Sequence, residues 1–353
     1  MNKVAKVDKN FDFETKIKRD DVVFYDAKKE PFTVFGLIEE DGIFKRMNKR
    51  DAKEISEGVL RLHKNTAGGR LRFITNSPYV AIHAKMSYMF KSPNYALTGS
   101  AGFDLYEQKE DGSCVYKGAF IPSLDSENGY EAEVELWTEE TREIIINFPH
   151  YSDVDELYIG IKNGCEILKT KGYKHKAPIV FYGSSITQGA CSSRAGTTYT
   201  NIVSRELNSD ILNLGFSGSA LGEEKMAEYI SNLDMTAFVM DYDFNAPNEE
   251  HLLNTHKRFF EIIRKAQPNL KVLFLSKPKN KLGPTDLRRK EIIEKTYLDA
   301  VAGGDKNVAF LSGSDLIPSE YNEIFTVDLC HPNDCGFATM AMAVIKKLKE
   351  LGL

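Results

Sequence analysis

A chain of 353 residues with 46 Lys and Arg against 51 Asp and Glu carries a formal charge of −5, which gives no electrostatic reason to expect a nucleic-acid ligand. With 42% hydrophobic and 27% charged residues it has apolar material for packed cores and no bias toward disorder or fibre. The length exceeds what one core usually organises, so two domains are expected.

Residues 1–20 are rich in Lys, Asp and Asn and lack the apolar run of a secretory leader, so they read as an N-terminal extension. No stretch is long and apolar enough to cross a bilayer, and the expected setting is cytoplasmic, with no membrane partner. The five cysteines, Cys114, Cys165, Cys191, Cys330 and Cys335, are odd in number and thinly spread. They read as free thiols in a reducing compartment.

Over residues 21–172 short runs of β-formers are broken by polar turns. Phe32 to Ile38, Val59 to Leu62, Arg70 to Thr75, Tyr79 to Met86, Gly102 to Tyr106, Glu131 to Leu136 and Glu143 to Phe148 read as strands. Asn65 to Gly69, Asn76 to Pro78 and Glu110 to Gly112 supply the turns between them. The expected architecture is an antiparallel β-sandwich, jelly-roll-like.

Over residues 173–353 the rhythm becomes apolar strand, loop and amphipathic helix, repeated. Ile179 to Tyr182, Ile211 to Leu214, Ala237 to Met240, Val272 to Leu275 and Val308 to Leu311 are almost continuously apolar, as strands covered on both faces should be. Helical spacing of apolar residues marks Thr198 to Leu207, Glu223 to Ile230, Glu249 to Ala266 and Thr285 to Ala302, and a last helix follows from Gly336. Repeated βα units build a three-layer α/β/α domain on a five-stranded parallel sheet, whose ligand site lies beyond the carboxyl ends of the strands.

Two of the loops at those strand ends carry chemistry. In Phe181-Tyr182-Gly183-Ser184-Ser185-Ile186-Thr187-Gln188-Gly189 a strand runs into Gly, two Ser and a further Gly ahead of a helix, which exposes a serine hydroxyl near amides that can stabilise an oxyanion. The segment is neither the Gly-x-Ser-x-Gly elbow nor a phosphate-binding Gly-Lys-Ser/Thr loop. Beyond the fifth strand lies Asp328-Leu329-Cys330-His331-Pro332. A carboxylate three residues before an imidazole can hold the tautomer whose other nitrogen deprotonates a serine.

Together these segments resemble the SGNH (GDSL-like) hydrolase superfamily over about Pro178 to Leu353. Gly183-Ser184-Ser185-Ile186-Thr187 is similar to its first block, Gly-Asp-Ser-Ile-Thr, which implies Ser185 as nucleophile. Asn213-Leu214-Gly215-Phe216-Ser217-Gly218 is similar to the second block, implying an oxyanion-hole amide at Gly218 beside that of Ser185. Asp241-Tyr242-Asp243-Phe244-Asn245 occupies the third block, normally Gly-x-Asn, implying an oxyanion-hole amide side chain at Asn245. Asp328 to His331 is the fifth block and completes the triad. The chain departs from the pattern at Ser184, where the family has Asp, and at Asp243, where it has Gly. The second departure leaves Asn248 as a competitor of Asn245. In the β-rich half, Gly102-Phe103-Asp104-Leu105-Tyr106 resembles the Gly-x-Asp-Leu-Tyr signature of an N-terminal domain that precedes some bacterial SGNH hydrolases. A plain reading of that strand turns Phe103 and Leu105 inward.

Cys330, His331 and Cys335 have poor spacing for half a zinc site, and His251 and His256 lie on different helix faces, so neither metal nor other cofactor is expected. The resemblance implies a carboxylic ester hydrolase, with an acetyl or other short acyl ester as substrate, small or oligosaccharide; the small, polar loops Gln188 to Thr197 and Asp243 to Glu250 make long-chain lipids poor substrates in expectation. The competing expectations are a carbohydrate-binding protein on a degenerate hydrolase scaffold, and an acyltransferase that uses the same residues.

Overall fold

The computed structural model describes residues 15–279, 281–317 and 322–353, so most of the extension expected over residues 1–20 lies outside the described residues. Contacts divide the chain into two units. The first runs to Arg46, resumes over Lys64–Gly172 and takes in Ser193–Gly196; the second holds Met47–His63, Tyr173–Ser192 and Thr197–Leu353.

The first unit contains two antiparallel sheets. One has the strand order Val22–Asp26, Glu156–Lys162, Tyr79–Lys85, Gly129–Glu135. The other runs Ile167–Leu168, Arg70–Thr75, Arg142–Asn147, Phe103–Gln108, Cys114–Phe120, with Thr33–Phe35 also paired to Arg70–Thr75. Alternate residues of both sheets, among them Val80, Ile82, Leu157 and Ile159 from one and Leu71, Phe73, Leu105 and Ile146 from the other, form one buried cluster. That period of two is what a sheet with a single core face requires. Phe103 and Leu105 are fully buried in this cluster, as the sequence suggested. The run Phe32 to Ile38 breaks into Thr33–Phe35 and Ile38–Glu40 around Gly36, whose φ of +71° suits glycine.

One expected strand is a helix. Val59 to Leu62 lies within the helix Glu57–Leu62, which Ser56 caps by accepting from the Val59 amide. Just before it, Lys49–Ile55 is helical, with Asn48 accepting from the Asp51 amide. Ala52, Ile55, Val59 and Leu62 recur at helical spacing, and all four join the core of the second unit.

The second unit is built on a five-stranded parallel sheet in the order Ser209–Gly215, His175–Gly183, Ala237–Asp241, Lys271–Leu275, Val308–Leu311. Successive side chains go to opposite faces: Val180, Tyr182, Phe238, Met240 and Phe274 to one core, Ile179, Phe181, Val239, Leu273 and Leu311 to the other. The first face is covered by Glu224–Ser231, Glu249–Ala266, Pro284–Ala302 and the short helices of Met47–His63. The second is covered by Tyr199–Leu207 and Asp334–Glu350. This is the expected three-layer arrangement. Cap residues set the helix starts: Thr198 accepts from the Asn201 amide, Asn248 from His251, and Asn333 from Cys335 and Gly336.

The strand order is doubly wound, and the order reverses at the strand His175–Gly183. Gly183 lies in register with Gly215 on one side and Asp241 on the other, so three loops leave adjacent strands at the same edge. A crevice at such a reversal is where open α/β sheets bind ligands.

Candidate active site

Gly183 ends the first strand of the parallel sheet, and a Cβ there would lie 2.1 Å from Thr187 Oγ1 and 2.5 Å from the Asp241 carbonyl oxygen. Only glycine permits the chain to turn so tightly into the helix Ser185–Gln188. Ser184 is buried and accepts from the Ile186 amide, so the residue that replaces the usual Asp serves as a helix cap. Ser185 is half-buried, and its Oγ lies 2.8 Å from His331 Nε2.

His331 in turn places Nδ1 2.8 Å from Asp328 Oδ2, while its backbone N–H donates to Asp328 Oδ1 at 2.7 Å. The loop is closed by Val327 N–H donating to the His331 carbonyl and passes through Leu329, held at φ +62° and 83% exposed. Burial would raise the Asp328 carboxyl, but the bonds from His331 and the Cys330 amide outweigh it and hold the group below its ordinary value. The carboxylate is therefore charged where it meets the ring, which favours the Nδ1–H tautomer and leaves Nε2 to accept from Ser185.

The other two loops meet at a single carbonyl. Ser219 N–H donates to the Phe216 oxygen at 2.8 Å, closing a turn whose third residue, Gly218, has φ +66°. Asn245 Nδ2 donates to the same oxygen at 2.9 Å. Asn248, the competitor, is the exposed cap of the helix Glu249–Ala266.

Asp243, where the resembled pattern has glycine, is buried and paired with Arg289 at 2.8 Å. Its other carboxylate oxygen accepts from the Lys277 amide, and Arg289 also donates to the carbonyls of Asp243 and Ala246. The turn Asp243–Asn245 is thus fixed to the helix Pro284–Ala302 by a buried charge pair.

Beneath the serine helix is a buried carboxyl that the sequence did not single out. Asp241 Oδ2 accepts from Thr187 Oγ1 at 2.8 Å and from the Tyr199 hydroxyl at 2.9 Å. Burial pushes this carboxyl up to about 7, against the pull of those two hydroxyls. Asn213 adds to the support, donating to the Thr187 carbonyl and accepting from the Gly215 amide. Thr187 and Tyr199 lie 54 and 42 positions from Asp241 and leave no local signal.

Cys191 Sγ, an Asp328 oxygen and a His331 ring nitrogen lie within 4.8 Å of one another. Burial raises the Cys191 thiol to about 12. Cys335 is not in that group. His256, buried and bonded to Thr296 Oγ1, is pushed down by burial to about 3 and is neutral; His251 contacts the Leu221 carbonyl.

Residues 176–349 match the GDSL-like Lipase/Acylhydrolase family, and residues 22–167 match GxDLY, the N-terminus of Esterase_SGNH_hydro-type proteins. No curated protein matches the chain. A solved structure described as a GDSL-like lipase from Bacteroides ovatus is similar at 25% identity, covering 94% of this chain and 98% of its own, with a TM-score of 0.84. The salicylyl-acyltransferase SsfX3 from a tetracycline biosynthetic pathway is similar at 20% identity over 95% of this chain and 99% of its own, with a TM-score of 0.76. An acetyl xylan esterase from Butyrivibrio proteoclasticus is similar at 12% identity over 93% of this chain and 98% of its own, with a TM-score of 0.55. At those identities the last two show the fold alone. Among the described residues, no helix is long and apolar enough to cross a membrane.

Proposed function

Because the chain belongs to the GDSL-like lipases and acylhydrolases that carry a GxDLY N-terminus, and is an SGNH-type ester hydrolase, we propose that it removes a short acyl group, acetyl above all, from a carbohydrate ester, with Ser185 as nucleophile. The observation that carries this reading is the chain of contacts from Ser185 Oγ to His331 Nε2 and from Nδ1 to Asp328, each 2.8 Å long.

Ser185 Oγ attacks the ester carbonyl carbon as its proton passes to His331 Nε2. The oxyanion is met by the backbone amides of Ser185 and Gly218 and by Asn245 Nδ2, whose position the Phe216 carbonyl sets. Collapse breaks the bond to the alcohol, which leaves with the proton from His331. The acyl-enzyme is then hydrolysed by a water that His331 deprotonates, and the same proton returns to Ser185 Oγ. Asp328 stays ionised and orients the ring throughout.

Short acyl groups are favoured by the surroundings of the serine. A long tail needs an apolar wall, each buried methylene contributing about 0.8 kcal/mol. The segments that leave the strand ends, Gln188 to Thr197 and Asp243 to Glu250, are composed mostly of small and polar residues. An apolar groove of about 800 Å³ lies between the helices Tyr199–Leu207 and Asp334–Glu350, floored by Ile202, Met342 and Ile345 and edged by Glu206, Lys346, Lys349 and Glu350. The similarity to an acetyl xylan esterase supports the acetyl reading, and that to a salicylyl-acyltransferase supports the alternative that an alcohol replaces water in the second step. The test is kcat/KM across acetyl, butyryl, octanoyl and palmitoyl esters of one alcohol, followed by acetate release from acetylated oligosaccharides. Highest turnover on acetyl, lost in Ser185→Ala, is expected. A steady rise with chain length overturns the reading in favour of a lipase.

A further inference from the structure

The signature carboxylate of the first unit has an observed partner. Asp104 is fully buried on the strand Phe103–Gln108, opposite Asn147 on the strand Arg142–Asn147. Its Oδ1 accepts from Asn147 Nδ2 at 2.7 Å. Its Oδ2 accepts from the Gly196 amide at 2.8 Å and lies 3.5 Å from the Arg194 guanidinium. The Ser193–Gly196 segment is held at further points within the same unit. Thr98 donates to the Ser193 carbonyl, His150 Nε2 sits 3.3 Å from the Arg194 carbonyl, and the Arg194 guanidinium lies 3.8 Å over the Tyr116 ring. Gly196 fits only because it has no side chain: a Cβ there would lie 2.5 Å from the Tyr106 ring, 2.8 Å from Asp104 Oδ2 and 3.0 Å from Asn147 Nδ2.

This tetrapeptide is a continuation of the serine loop. Upstream, Ser192 closes back on the Gly189 carbonyl at the end of the Ser185 helix. Downstream, Thr197 Oγ1 donates to Asp334 Oδ1 at 2.7 Å, and Asp334 stands three residues beyond His331. The chain therefore runs from the serine helix, through the residues that Asp104 grips, to a hydrogen bond beside the histidine loop.

We propose that Asp104 is a positioning residue for ester hydrolysis: by fixing Gly196 and Arg194 it holds the serine loop and, through Thr197 and Asp334, the histidine loop in reacting register. The proposal rests on the reading of Ser185 and His331 given above. A carboxylate suits the task because Asn147 and Gly196 each point a donor at it, so it must accept on both oxygens. Loss of register by a fraction of an ångström acts on the chemical step more than on substrate binding.

The test uses the full chain and four variants. Asp104→Ala is expected to lower kcat for an acetyl ester at least tenfold with KM changed less than threefold, and to speed amide hydrogen exchange over residues 190–197. Asp104→Asn alone removes the charge facing Arg194 and satisfies both neighbours only when Asn147 turns its amide over, so a smaller loss of kcat than in Asp104→Ala is expected. The exchange of the pair, Asp104→Asn with Asn147→Asp, restores an acceptor to Gly196 and a donor–acceptor match across the strands, and should recover kcat to within threefold of the parent. If Asp104→Ala does not fold, Gly196→Ala displaces the same loop without altering the strand and should show the same kcat loss and faster exchange. Unchanged kcat and exchange in the variants, or a loss that the paired exchange fails to restore, overturns the proposal. A parent enzyme without ester hydrolysis would instead refute the reading of Ser185, and the exchange over residues 190–197 would still report on the clasp.

Discussion

Asn245 and Asn248 differ in what already occupies them. Asn248 spends its side-chain oxygen on the His251 amide as a helix cap, whereas Asn245 donates one hydrogen of Nδ2 to the Phe216 carbonyl. The second hydrogen of that rigidly held group is the one assigned to the oxyanion. Asn245→Ala is expected to lower kcat about a hundredfold or more with KM less affected, the pattern of a donor that acts in the transition state. Asn248→Ala should cost about 1 kcal/mol of stability through the lost cap and leave kcat near that of the parent. Steady-state kinetics and melting of both variants decide between them, and the reverse pattern would move the third block to Asn248. Asp241 gives a prediction in pH. Its native value of about 7 stands above the ordinary value of about 3.9, so between these the folded state binds more protons than the unfolded. Stability due to this group is full below about pH 4, falls as pH rises, and is lost above about 7. Asn can accept from Thr187 and Tyr199 without titrating. Asp241→Asn should therefore gain stability relative to the parent as pH rises from about 4 to about 7, measured by urea unfolding at each pH. A constant difference across that range would contradict the assignment.

At the level of elements, the turn Asp243–Asn245 and the helix Pro284–Ala302 are bound by the buried Asp243–Arg289 pair. Removing one partner strands the other charge in the interior. Arg289→Met should destabilise the protein by about 3–5 kcal/mol and lower kcat, because Asn245 sits on the same turn. Adding Asp243→Gly, which returns the residue of the resembled pattern, removes the orphaned carboxylate and should recover at least half of that loss in urea unfolding. No recovery would show that the charge pair is not what fixes the turn. Such pairs explain which parts of the structure could be read from the chain. Helix starts were legible because their caps are local: Thr198, Asn248 and the Gly283-Pro284 step stand beside the residues they serve. The parallel strands were legible as apolar runs. The helix Glu57–Leu62 was not, since its six residues show a period only when joined to Lys49–Ile55 before it, and its burial comes from the second unit's core. Glu156–Lys162 was not read as a strand although Leu157, Ile159 and Ile161 alternate into the core; Gly160, on the opposite face, lacks the β-branched or aromatic side chain that marks a strand, and a Cβ there would lie 2.8 Å from the Phe24 ring.

Across the whole molecule the candidate site residues stand out in the chain in a different way from their supports. Ser185, Gly218, Asn245, Asp328 and His331 lie in short contiguous segments at strand ends, where the order of blocks along the chain carries the information. Asp104 with Gly196, Asp241 with Thr187 and Asp243 with Arg289 are 92, 54 and 46 positions apart, and only folding makes them neighbours. The account as a whole depends on one atom, Ser185 Oγ, which alone among the two adjacent serines meets an imidazole, while Ser184 Oγ is committed to the Ile186 amide. The most direct test is to treat the protein with a fluorophosphonate and locate the adduct by peptide mass spectrometry. A single phosphonylated residue at Ser185, still formed at a substantial rate in Ser184→Ala and abolished in both Ser185→Ala and His331→Ala, is the predicted result. An adduct on Ser184, or no adduct in a protein that hydrolyses acetyl esters, would contradict it.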